Sequence, residues 1–102
     1  MNDQEFLEYI KYDLKRIESD LNGFLEVYYP MLRSSWNPKN ESDFILGWIL
    51  GSKEGEYSEG YRKKYGQAWG QEFLFLVHQE IRSKKSILEK EITKYLEEKS
   101  SK

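Results

Sequence analysis

Cysteine is absent from the 102 residues, which excludes disulfides, thiolate metal sites and cysteine nucleophiles. There is one histidine, His78, so a histidine-rich metal site needs several chains. Proline occurs only at Pro30 and Pro38, inside one connecting stretch. The longest apolar run, Phe44 to Leu50, has seven residues including Gly47, far below the roughly 20 that span a bilayer, and excludes a membrane segment. The acidic start, Met1-Asn2-Asp3-Gln4-Glu5, lacks the basic and apolar regions of a signal peptide, and a cytoplasmic location is expected. Excess charge of one sign is also missing: 16 basic and 18 acidic residues give −2, and they are interspersed. That is a solvated surface, not a polyanion binder by bulk charge.

What the chain does have is an apolar seam. Leu7, Ile10, Leu14, Ile17, Leu21, Phe24 and Tyr28 recur at alternating spacings of three and four, the pattern of a helix that buries one stripe. Asn2 with Glu5 reads as an N-cap and capping-box partner, and Pro30 cannot continue the helix, so it is expected over 3–29. Gly23 is its weak spot and marks close approach of a neighbour. Residues 30–39 form a connection, and Asn37 before Pro38 or Asn40 before Glu41 caps the next helix.

From Phe44 to Leu50 almost no polar side remains, and Gly51, Gly55 and Gly60 follow in a stretch that is either continuing helix or a break. Beyond lies a ridge at spacing four: Tyr57, Tyr61, Tyr65, Trp69, Phe73, Val77 and Ile81. Such a ridge slips by roughly 40° per step on a helix and winds away from any single neighbour, so a break is expected at Gly66 or Gly70. The resulting fold is all-α: one domain over 1–102, an antiparallel three-helix bundle with helices over 3–29, 40–65 and 67–98 and a frayed tail over 97–102. The competing division is 41–53 and 58–98. Arg82-Ser-Lys-Lys-Ser86 interrupts the last seam.

Two constellations are candidates for function. Leucine at 7, 14 and 21 with isoleucine at 10 and 17 is the choice that, in parallel coiled coils, favours more than two strands; an intramolecular face needs no second chain. Gly47, Gly51 and Gly55 share one helical face beside Trp48 and would admit a close helix crossing. Leu7, Ile10, Leu14, Ile17, Leu21, Gly47, Trp48, Gly51 and Gly55 are therefore the expected interface of a homodimer, a protein partner being the other occupant. Tyr57, Tyr61, Arg62, Lys63, Lys64, Tyr65 and Trp69 interleave rings and cations, a surface that can stack bases and hold phosphates. Glu54, Glu56 and Glu59 beside it weigh against nucleic acid.

Glu54, Glu56, Glu59, Glu72 and His78 raise a metal site, but the carboxylate-bridged bundles need Glu-x-x-His and Phe75 stands three before His78. No nucleophile triad, phosphate loop or nucleotide fingerprint is present. The sequence reads as a non-enzymatic interaction or oligomerisation module without cofactor, with accessory nucleic-acid binding as the alternative.

Overall fold

Apolar side chains spaced by three and four leave helix as the conformation that buries them on one side, and every element of the described chain is an α-helix. A computed structural model describes residues 3–100, in α1 (Asp3–Ser19), α2 (Leu21–Trp36), α3 (Glu41–Tyr65), α4 (Gln71–Ser83) and α5 (Lys85–Ser100). The expectation of three helices over 3–29, 40–65 and 67–98 is thereby corrected. α1 and α2 are separate helices, and α4 with α5 forms one kinked run, so four helical units replace three.

The break between α1 and α2 falls at Asp20, whose φ of −117° and ψ of 25° leave the helical region. Its N–H still donates to the carbonyls of Arg16 and Ile17, and its carbonyl accepts from Phe24, so the chain bends without losing those bonds. Gly23 leaves room for the Asp20 side chain: a Cβ on it would lie 2.8 Å from Oδ1 of Asp20, the end of an exposed side chain that would have to swing aside. The close neighbour expected at Gly23 is thus the carboxylate of the bend itself.

Pro30 does not end the helix. It occupies an exposed position of α2, one turn after Glu26, the residue whose carbonyl loses its N–H partner and which is itself exposed. Leu32, 1% exposed, holds the following turns on the core. The helix stops only at Asn37, in the left-handed region at φ 43°, whose N–H donates to the Arg33 carbonyl over 2.9 Å.

Asn40 caps α3, its Oδ1 accepting from the Asp43 N–H at 3.0 Å. α3 runs unbroken through Gly51, Gly55 and Gly60, which removes the division at 53 and 58. It ends at Gly66 (φ 76°), the one glycine here whose backbone needs that freedom. The last run starts after Gly70, at Gln71 rather than 67, and kinks at Lys84. α5 continues to Ser100, with Lys99 paired to Glu26 at 3.0 Å and lying over the Tyr95 ring, and the last two residues of the expected frayed tail lie outside the described residues. The Asn2 cap lies outside the described residues.

α1 and α2 run along α3 in the opposite direction, pinned at its two ends by Asp3 to Tyr61 and by Tyr29 to Glu41. α4 and α5 return alongside, with Phe6 against Phe73 and Tyr29 against Tyr95. The body measures 50 × 24 × 20 Å and holds two stacked core clusters. α1, the second half of α3 and α4 enclose Ile10, Leu14, Tyr57, Tyr61, Phe73 and Val77; α2, the first half of α3 and α5 enclose Leu25, Leu32, Ile45, Ile49, Leu88 and Ile92. Leu50 packs against both. The ridge at spacing four explains the division. Gly66 cuts it, so Tyr57 and Tyr61 fold back on Phe73 and Val77 instead of winding away.

Candidate functional site

The ring and cation segment comes apart on folding. Tyr57 and Tyr61 are each 1% exposed, and Tyr65 and Trp69 pack partly buried against the same cluster. Tyr61 stands at the centre of a ring array, 5.3 Å from both Phe6 and Phe73 and 5.8 Å from Trp69. Arg62, Lys63 and Lys64 point to solvent on the last turn of α3, Arg62 paired with Glu59 and Lys64 over the Tyr65 ring. Their position is where cations oppose the negative end of the helix dipole. Rings that face the core are closed to base stacking.

The hydroxyls of those buried tyrosines account for two acids of α1. Tyr57 donates to Asp13 at 2.7 Å and Tyr61 to Asp3 at 2.6 Å. Asp13 is the buried charged residue of the described core, and it also meets Lys53 at 3.3 Å and Arg16 at 3.0 Å. Burial pushes its pKa up, but the Tyr57 hydrogen bond and the Lys53 and Arg16 charges outweigh burial and hold it below its usual value. Lys53 is held above its usual value: burial alone would lower it, and Glu56 and Asp13 reverse that. The phenols move up, Tyr57 chiefly by burial and Tyr61, to about 12, chiefly by its bond to Asp3. This network ties α1 to α3 with none of its buried polar atoms left without a partner. Asp13 went unnoticed in the sequence, although it sits three after Ile10 and one before Leu14, on the seam's own side.

The expected interface splits in two. Leu7, Ile10, Leu14 and Leu21 are buried by the chain's own helices, with Ile17 packed beside them, so the seam is already covered. Gly47, Gly51 and Gly55 are different. α3 is helical through them, but no described helix crosses there, and a Cβ on any of the three would meet nothing within 4 Å among the described residues. The close crossing expected at Gly51 is absent among the described residues.

Next to this open trough stands an aromatic ridge. Phe24 stacks on Tyr28 at 4.6 Å, and Trp48 lies 5.9 Å from Phe24 and 5.6 Å from Tyr28, bridging α2 and α3. Helical geometry puts Phe24, Val27, Tyr28, Met31 and Ser35 within about 100° of one side of α2. It puts Phe44, Gly47, Trp48, Gly51, Gly55 and Ser58 within a similar arc of α3. None of these eleven carries a charge, in a chain that is 33% charged; the first charge on the same line of α3 is Arg62, four residues beyond Ser58 and paired with Glu59. Val27 is 69% and Met31 47% exposed.

Elsewhere, a groove of about 630 Å³ is lined by Tyr29, Arg33, Tyr95 and Lys99 among others, and three of its polar side chains are engaged. Tyr29 donates to Glu41, Lys99 pairs with Glu26, and Tyr95 bonds to Glu26. His78 pairs with Glu54 at 2.5 Å, and among the described residues no three His, Cys, Asp or Glu are placed to hold a metal. No described helix is long and apolar enough to cross a membrane. No protein-family model, curated protein or solved structure matches the chain.

Proposed function

We propose that the protein is a helical self-association module, two copies meeting through the uncharged face of α2 and α3. The observation that carries this reading is the ridge beside the trough: Trp48 and Tyr28 stand up next to Gly47, Gly51 and Gly55, whose Cα atoms face open space. A two-fold axis lets the ridge of one copy enter the trough of the other, so the same patch serves both sides. A second copy suits the face electrostatically as well, since like charges do not meet where neither side has any. Exposed apolar surface of this continuity is what a protein contact removes from water.

The module acts by assembly and supplies no chemistry of its own in this reading. Its test is charge insertion: Val27→Glu with Met31→Glu alters exposed side chains only, so the helices should persist by circular dichroism while sedimentation shows the dimer lost. A double variant that sediments as wild type would refute the assignment of this face.

A further inference from the structure

The interruption Arg82-Ser-Lys-Lys-Ser86 coincides with the kink at Lys84, where the two core clusters adjoin around Leu50. A hollow of about 400 Å³ opens there, between α3, α4 and the start of α5. Its apolar wall is Leu50, Phe75 and Ile81. Phe75 is 65% exposed, an unusual place for a phenylalanine on a helix whose opposite side holds the core.

Arg82 and Lys85 stand at the rim of the same hollow. The neighbouring basic side chains are engaged, Lys84 with Glu18 at 3.0 Å and His78 with Glu54. The side chains of Arg82 and Lys85 have no hydrogen-bond or ion-pair partner among the described residues. Two free cations converging on an apolar hollow is the chemistry of a site for an amphiphilic anion, the apolar body against Leu50 and Phe75 and the head group on the cations.

We infer that this hollow binds a small aliphatic carboxylate. Arginine presents a planar fork that matches a carboxylate, lysine adds a point charge, and the volume is at the lower end of those that hold small molecules. The site lies on α4 and α5 and does not depend on the self-association face.

The test is an amide NMR titration of the full chain with decanoate, with 1-decanol and acetate in parallel. Decanoate should give saturable shifts at Leu50, Phe75, Ile81 and Arg82; decanol should bind about tenfold more weakly, and acetate should not saturate. Arg82→Gln with Lys85→Gln should weaken decanoate about tenfold and leave decanol unchanged, both substitutions being on exposed side chains. Decanoate shifts centred on Trp48 or scattered over the exposed rings would overturn the site. So would equal binding of decanoate and decanol, or a double variant that binds decanoate as wild type does.

Discussion

The Tyr57 hydroxyl donates to the Asp13 carboxylate over 2.7 Å, across 44 residues of sequence and inside the core between α1 and α3. A carboxylate in that position is tolerable only because Lys53 and Arg16 supply charge and Tyr57 the third contact. Tyr57→Phe keeps the ring and removes the donor, so it should destabilise the fold by about 1 to 3 kcal/mol, read from urea denaturation. An unchanged midpoint would mean that the two cations satisfy Asp13 without it.

The same network sets an acid limit. Asp13 has a folded pKa below its usual 3.8, so its contribution is fully present above that value and is lost as pH falls through the lower, folded one. Thermal stability should therefore drop on acidification below about pH 4, and Asp13→Asn, which has no proton to gain, should be less stable at neutral pH and flatter across that range. An equally steep acid transition in the variant would assign it to other carboxylates.

Tyr61 sets the alkaline limit with the opposite sign. Its phenol rises from 10.0 to about 12 in the fold, so the folded state holds the proton more tightly than the unfolded chain. The stability this gives is complete below pH 10 and lost as pH rises toward about 12. Phenolate absorbance should show Tyr61 ionising with or after unfolding, and Tyr61→Phe should make stability less dependent on pH in this window. Ionisation of every tyrosine near pH 10 in the folded protein would contradict the buried bond to Asp3.

Gly51 separates the helix from the interface. Within one chain its Cβ position is empty, so Gly51→Ala should stabilise the monomer by up to about 1 kcal/mol through helix propensity. In a dimer packed on the trough the added methyl should weaken association. Thermal melts at low concentration and sedimentation at high concentration should therefore move in opposite directions; a gain in both would place Gly51 in solvent.

Helical class was legible from the spacing of the seam, and the turn at Gly66 from a ridge that could not face one neighbour. The bend at Asp20 was not, because the apolar spacing continues across it; only Ser19, Asp20 and Gly23 differ, and their effect depends on a side chain occupying the space of a missing Cβ. Pro30 misled because its local penalty is outweighed by the burial of Leu32 two residues on. For the site, the list of rings around Tyr57 was correct as composition but silent about direction, which is set by tertiary packing on Phe6 and Phe73. The glycine stripe was visible, whereas the aromatic ridge beside it requires two helices and emerges only when Phe24 and Tyr28 meet Trp48.

Light scattering coupled to size exclusion, across a hundredfold range of concentration, tests self-association most directly. The predicted result is a mass rising to about twice the 12.3 kDa of the chain, and returning to 12.3 kDa for Gly51→Leu with its helical content intact. A wild-type mass fixed at 12.3 kDa up to high micromolar concentration would contradict the account.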